Sequence, residues 1–320
     1  MIPRLLVWFV KFPVLQYLLA FFQDFIIELL RTGPVPNHVA FVMDGNRRYA
    51  KNNEMPLSHG HYKGFETLIK ILEVSGQLGI RAITVYAFSI ENFNRPNHEV
   101  DILFDLIRNK MIPVLNDSEF RARYGARVQV LGNRDMIPQD ILEAIEEVEA
   151  KTKDFDRIII NICFPYTTRD DITHAIRTIA QKVDSKEMTL DDINLQSFEE
   201  HLYSGNSPPL DILVRTSGVS RLSDFMLWES NLDCQLVFIN ALWPEFSVWD
   251  FYRILIRWSY KQTRAFRYAI FFYARFPSLA LTSDLEVMQA KKLTRPRPPK
   301  VSVAQFESFH MVSKEVKKAS

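Results

Sequence analysis

The sequence has neither a GxxxxGK(S/T) loop nor a GxGxxG turn, which argues against P-loop nucleotidases and dinucleotide-binding enzymes. Cysteine is scarce. Cys163 and Cys234 are the only two in 320 residues. They form no disulfide framework and no metal spacing, and so point to a reducing compartment. Charge of one sign is missing too: the net charge is +1, which leaves no global electrostatic case for nucleic acid. A long uncharged apolar run is also lacking. Leu5–Leu30 is strongly apolar, but Lys11, Asp24 and Glu28 interrupt it and Pro13 sits inside. Its longest uncharged stretch, Phe12–Gln23, has 12 residues, against the roughly 20 needed for a span. No small-residue cleavage site of the signal-peptide kind is present. The pattern predicts a helix from near Val14 lying on a membrane surface or docking on a membrane partner, with Trp8 and Tyr17 at headgroup depth, and leaves an imperfect span and packing within the protein as alternatives. No internal repeat is visible, and the sequon at Asn116 has no meaning in a cytosolic domain.

Apolar bulk, in contrast, is plentiful: 47% of residues are hydrophobic, with 24 Phe and 5 Trp. That load serves either a large core or a cavity for a greasy ligand. From Pro36 on, short apolar runs alternate with helical patterns. Strands are expected at 38–44, 82–88, 127–131, 157–163, 211–214 and 235–239. Helices are expected near 61–78, 98–115, 139–152, 169–183, 196–203 and 248–260. The fold class this predicts is α/β, a central parallel sheet flanked by helices. The tail Lys291–Ser320, basic and Pro-containing, is expected to be disordered.

Three strand ends carry the polar chemistry. The run Val39–Met43 stops at Asp44-Gly45-Asn46 and then Arg47-Arg48. Asp44 is able to hold Mg²⁺ through one oxygen, Gly45 lets backbone N–H groups approach an anion, and the two Arg give forked contacts to phosphate. An Asp-Gly hairpin is the plain alternative. Asp211–Val214 ends at Arg215, followed by Thr216, Ser217, Gly218, Arg221 and Ser223. Ala82–Phe88 leads into Ser89, Glu91, Asn92 and Arg95. Taken singly, the latter two are ordinary loops or caps. In a parallel sheet, however, strand ends share one edge, and the three would converge there.

HVAFVMDGNRRYAK, YAFSIENFNRP, CFPYTTRDDI, RTSGVSRLSDFMLW and LWPEF, in this order between about Gly33 and Tyr260, resemble the cis-prenyltransferases. The resemblance is strongest to the catalytic subunits of eukaryotic dehydrodolichyl diphosphate synthases. It implies an elongated hydrophobic tunnel beside the sheet and condensation of isopentenyl diphosphate, in cis, onto an allylic diphosphate such as farnesyl diphosphate. The product would be a long-chain polyprenyl diphosphate for dolichol synthesis and protein glycosylation. By the same match Asp44, Gly45, Asn46, Arg47 and Arg48 hold the allylic diphosphate, with Asp44 positioning Mg²⁺ and His61 nearby. Arg215, Arg221 and Ser223 hold isopentenyl diphosphate. Ser89, Asn92 and Arg95 form the polar loop between the substrates. Asp44, Asn92 and His61 are the catalytic candidates; the base that takes the proton is not assigned. Leu103, Phe104 and Ile107 are as readily core as tunnel lining.

Two departures bear on assembly. Gln235 stands where homodimeric members carry a metal-binding Glu, and residues 261–320 hold no Arg-x-Gly. Both resemble a catalytic subunit that works with a Nogo-B-receptor-like partner, with a homodimer as the second possibility. A further departure is Met55–His59, which has no Lys or Arg before Gly60-His61. A non-catalytic scaffold of the same fold would lack the Asp-Gly-Asn-Arg-Arg and Arg-Thr-Ser-Gly clusters, and this chain has both. The expected organisation is a membrane-associating segment (1–32), a catalytic domain (33–275) and a tail (276–320). The expected location is the cytosolic face of the endoplasmic reticulum membrane, with the lipid droplet as a second surface.

Overall fold

A computed structural model describes residues 13–118, 124–231 and 233–275, with side chains described between residues 21 and 264. Val35–Ser259 form one compact unit, and the flanking described residues belong to a second. The expected tail 276–320 and the Trp8 anchor lie outside the described residues.

The main unit is built on six strands: β1 (His38–Val42), β2 (Ala82–Tyr86), β3 (Ala126–Leu131), β4 (Ile158–Cys163), β5 (Ile212–Arg215) and β6 (Gln235–Phe238). Their spatial order is β3-β4-β2-β1-β5-β6, and every pairing is parallel. All five residues of β1 are buried, so both faces of the sheet are covered, as Val- and Ile-rich parallel strands require. On one face Phe41 meets the rings of Trp243, Phe246 and Phe251 at centroid distances of 5.7, 6.2 and 5.6 Å. On the other, Ala40 and Val42 pack with Leu213, Tyr166 and Phe225. Beyond the ends of β2 and β4, Phe104 stacks on Phe88 at 5.5 Å and meets Phe164 at 5.7 Å. Leu103 and Ile107 are buried.

The main-unit helices are α2 (Asn46–Asn52), α3 (Leu57–Leu78), α4 (Asn97–Leu106), α5 (Ile112–Asn116), α6 (Gln139–Thr152), α7 (Thr168–Asp184) and α8 (Leu195–Glu200), followed by α9 (Val248–Arg275). Local chemistry sets their ends. Pro56 leads into α3 and Gly79, in the left-handed region at φ 77°, ends it. Thr167 caps α7 by accepting the Asp170 N–H, and Asp170 and Asp171 suit the positive end of its dipole. The helix expected over 98–115 is one rod with a π-helical turn, Ile107–Met111, between α4 and α5.

The strand expectations hold to within about two residues. Two helices differ. Asn46–Asn52, read as a turn region, is helical. The helix expected to stop near Tyr260 runs to Arg275.

In the flanking unit, α1 spans Pro13–Arg31. Ile27 and Leu30 are buried, whereas Phe21, Phe22, Phe25 and Leu29 are exposed. At helical spacing these four fall on one arc of the surface. Among the described residues, no helix is long and apolar enough to cross a membrane.

Candidate active site

Because the sheet is parallel, the loops after β1, β2, β4 and β5 leave its carboxyl edge together, and the polar residues gather there. The ends of β1 and β5 are stitched by one hydroxyl. Thr216 Oγ1 accepts the Asp44 N–H at 3.1 Å and donates to the Asp44 carbonyl at 2.7 Å. Gly45 follows at φ 111°, where a Cβ would press on Leu242 at 3.0 Å, so the turn into α2 requires glycine. That turn points Asp44 and the first residues of α2 at the neighbouring loops. Arg48 donates to the Ser217 carbonyl at 2.9 Å, and Arg47 pairs with Glu99 at 3.2 Å.

The centre is an ion pair between the two strand ends. Arg215 is 3% exposed and donates to Asp44 Oδ2 at 2.8 Å. Its other terminal nitrogen donates to Ser223 Oγ at 2.7 Å and to the Arg221 carbonyl at 2.6 Å. Burial opposes ionisation of Asp44, but the hydrogen bond and charge of Arg215, with the charge of Arg48, outweigh it. The carboxyl is therefore held below the ordinary carboxylate range. Asp44 is an anion at neutral pH with a side chain still 35% exposed.

The loop after β2 brings a further cation. Burial, and then the charge of Arg47, lower the Arg95 pKa, while Glu99 and Asp44 act in the opposite direction. His61, on α3, is buried. Burial, followed by the charges of Arg95 and Arg47, lowers its pKa to about 4, so the imidazole is neutral at physiological pH. The structure thus crowds Arg47, Arg48, Arg95 and Arg215 around Asp44 and Glu99. Cations brought together beyond their local carboxylates mark a site for an anion.

Of the residues expected from sequence, Asp44, Gly45, Asn46, Arg47, Arg48, His61, Arg95, Arg215, Arg221 and Ser223 come to this edge. Arg221 contributes its carbonyl to Arg215. Asn46 donates to the Met43 carbonyl at 3.3 Å, and its Oδ1 is buried without a partner. Ser89 and Asn92 serve the turn itself. Ser89 Oγ accepts the Glu91 N–H at 3.2 Å and Asn92 Oδ1 accepts the Ser89 N–H at 3.1 Å. The amide NH₂ of Asn92 is left for a ligand. Gln235 does not join the cluster. It opens β6 opposite Ile212, level with Val39 on β1, about 10 Å along the strands from the carboxyl edge.

Sequence reasoning missed Glu99, Arg169 and Tyr86. Tyr86 OH donates to the Ser223 carbonyl at 3.3 Å. Arg169 was discoverable, since it stands where a strand end turns into a helix, as Arg47 does. No trio of His, Cys, Asp or Glu among the described residues forms a metal cage. The donor set, one half-exposed carboxylate beside anion-binding guanidiniums, fits a hard cation that takes most of its oxygens from a bound diphosphate.

The family model of the Prenyltransf type, undecaprenyl diphosphate synthase, matches residues 42–266. A dehydrodolichyl diphosphate synthase complex subunit of Schizosaccharomyces pombe is 38% identical over 79% of this chain and 96% of its own length. The human dehydrodolichyl diphosphate synthase complex subunit is 40% identical over 75% of this chain and 72% of its own. Among solved structures, lavandulyl diphosphate synthase from Lavandula x intermedia, in complex with dimethylallyl diphosphate, superposes with a TM-score of 0.62 at 29% identity. That alignment covers 70% of this chain and 95% of the lavender enzyme. Fold, polar edge and sequence agree: the chain belongs to the cis-prenyltransferase family.

Proposed function

We propose that the chain is a polyprenyl diphosphate synthase that condenses isopentenyl diphosphate, in cis, onto an allylic diphosphate such as farnesyl diphosphate, making a long-chain polyprenyl diphosphate for dolichol. The observation that carries the reading is the Asp44–Arg215 pair, which joins the ends of β1 and β5 between two groups of cations. Two diphosphates repel each other, and side-by-side binding requires separate positive cradles. Asn46, Arg47, Arg48, Arg95 and neutral His61 take the allylic diphosphate. Arg215, Arg221 and Ser223 take isopentenyl diphosphate. Asp44 stands between them and would hold Mg²⁺, which would supply the charge that draws electrons from the departing diphosphate.

In the reaction the allylic carbon–oxygen bond breaks, a carbon–carbon bond forms to isopentenyl diphosphate, diphosphate leaves and one proton is lost. The protein's part is positioning and charge stabilisation. The growing apolar chain needs a hydrophobic tunnel of the kind expected of the family; Leu103, Phe104 and Ile107 are packed as core around Phe88 and Phe164.

The relatives are named as subunits of a complex, and this chain is read as a subunit too. β6 is an edge strand whose Leu236 and Phe238 are both 41% exposed, which supports a Nogo-B-receptor-like accessory subunit seated there. The exposed aromatic arc of α1 supports docking on a membrane surface, with the catalytic unit on the cytosolic face of the endoplasmic reticulum or at lipid droplets.

The test is incorporation of labelled isopentenyl diphosphate by the purified chain, alone and with an accessory subunit, with farnesyl diphosphate as primer and with or without Mg²⁺. The expected result is Mg²⁺-dependent long product, strongly raised by the partner. A folded complex that yields no product overturns the reading.

A further inference from the structure

We propose that Arg169 is a positioning residue that locks the isopentenyl diphosphate loop to the loop after β2. The inference rests on the division of substrates made above. Arg169 opens α7 just beyond β4. Its Nε donates to Asp224 Oδ2 at 2.7 Å and its Nη2 donates to Glu91 Oε1 at 2.8 Å. One guanidinium thus joins the residue next to Ser223 to the loop that carries Arg95.

The segment it grips is under backbone strain. Ser217, Ser223, Asp224 and Met226 all have positive φ, at 81°, 53°, 58° and 45°. Non-glycine residues stay in that region only when surrounding contacts hold them. For Ser223 and Asp224 those contacts come from outside the segment. The Tyr86 hydroxyl shares its proton between the Tyr166 carbonyl at 3.1 Å and the Ser223 carbonyl at 3.3 Å, Thr168 donates its N–H and hydroxyl to the Asp224 carbonyl, and Arg169 holds the Asp224 side chain. Ser223 in turn accepts from Arg215, which pairs with Asp44. Contacts therefore run from Arg169 to the centre of the site through Asp224, Ser223 and Arg215.

Exposure separates this role from a structural one. The Arg169 side chain is 73% exposed and that of Glu91 58%, while Asp224 is 14% exposed; pairs made by so open a cation are screened by water and add little to stability. A merely structural Arg169 would be dispensable. A lock on a strained binding loop would not be, because small displacements of a binding group are costly.

The experiment measures unfolding temperature, the Kd of isopentenyl diphosphate and the steady-state constants for Arg169→Ala, Arg169→Lys, Asp224→Asn and the double variant Arg169→Ala/Asp224→Asn. Arg169→Ala should raise the Kd and KM for isopentenyl diphosphate by about tenfold or more. The KM for farnesyl diphosphate and the melting temperature should stay near wild type. Arg169→Lys should recover part of the loss. Asp224→Asn should reproduce it, and the double variant should be no worse than the more affected single variant, as expected for one shared contact. The proposal is overturned by wild-type affinity in Arg169→Ala, by equal losses for both substrates, or by a melting temperature many degrees lower. It is also overturned by Asp224→Asn with wild-type affinity beside a crippled Arg169→Ala, which would make Arg169 a direct ligand. A wild-type protein that binds isopentenyl diphosphate but makes no product refutes the proposed function and leaves this binding test standing.

Discussion

Two histidines of the main unit have the same lowered pKa and opposite surroundings. His38 opens β1 and His61 sits on α3, and burial is the first cause of a value of about 4 in each. His38 is fully engaged. Its Nδ1 donates to the Pro208 carbonyl at 2.8 Å, which fixes the tautomer, so its Nε2 accepts the Thr84 hydroxyl at 2.6 Å. Thr84 accepts in turn from Asn161 at 3.0 Å, and Asn161 also donates to Ser207. No group among the described residues hydrogen-bonds the His61 ring, and its electrostatic neighbours are Arg95 and Arg47, partly opposed by Glu99. One imidazole completes a closed network inside the sheet. The other is kept neutral beside cations, with its ring free to meet an anion. A perturbed pKa marks burial; the hydrogen-bond partners tell structure from function.

The largest expected effect tests the functional side. Asp44→Ala should lower turnover by about 10²–10³-fold, the scale of losing one preorganised charge-stabilising group, while the chain still unfolds cooperatively. Near-wild-type rates at saturating Mg²⁺ in the labelled-substrate assay would remove Asp44 from the centre of the site.

The histidines themselves come next. His38→Ala should cost about 2–4 kcal/mol of unfolding free energy in urea, because Thr84 and Asn161 lose their network, and should leave turnover per folded molecule unchanged. His61→Ala should reverse the pattern, with kcat/KM about tenfold lower, the scale of one hydrogen bond to a charged group, and a smaller stability change. Equal stability losses with intact activity in both would erase the distinction.

A pH titration tests the burial of His38 through a variant that lacks it. The unfolded chain takes up a proton on His38 near the ordinary value of 6.5, whereas the folded chain does so only near 4. Stability is therefore independent of this group above about 6.5. It falls as pH drops from there toward 4, by up to about 3 kcal/mol, and then levels. Asp44 adds a loss of the same sign at still lower pH, as its lowered carboxyl takes up a proton. His61 adds a loss of the same sign, and Asp171, pushed up to about 7 by burial, opposes both. The test is therefore a difference: between pH 4 and 8 the urea midpoints of His38→Gln should fall less steeply toward low pH than those of the wild type. An unchanged slope in that variant would contradict the assignment.

The smallest expected effect has an unusual sign. Glu99→Gln removes a carboxylate from Arg47 and Arg95 and should tighten allylic diphosphate binding by about twofold to fivefold, the range of a partly exposed ion pair. Weaker binding would mean that Glu99 orients Arg47 more than it competes for it.

Much of the fold was legible in the sequence because Val- and Ile-rich runs punctuated by polar turns report burial directly. The parallel arrangement followed from the alternation, and the meeting of Asp44 with Arg215 followed from the shared carboxyl edge. Strand order was not legible, since the pairing of β1 with β5 joins residues more than 170 positions apart. The helix Asn46–Asn52 was hidden because Asp-Gly reads as a hairpin, and only the tertiary contact of Gly45 with Leu242 shows what the turn is for. Ser89 and Asn92 show how far local chemistry can be read both ways. Ser and Asn favour caps and ligands alike, and here both side chains close their own turn. The place of Gln235 at the amino edge likewise depends on register, which a single sequence does not reveal.

The β6 edge has a consequence for supply. Gln235–Phe238 carries none of the usual safeguards of a sheet edge, neither Lys nor Pro nor an inward charge, and shows Leu236 and Phe238 to solvent. Left uncovered, such a strand is a template for any other extended chain, including its own copies. Overproduction of this chain alone should yield concentration-dependent clumping, whereas co-production with a cover for that edge should yield soluble protein. In a cell, the dosage of this gene is then tied to that of its cover, and surplus copies become substrates for quality control.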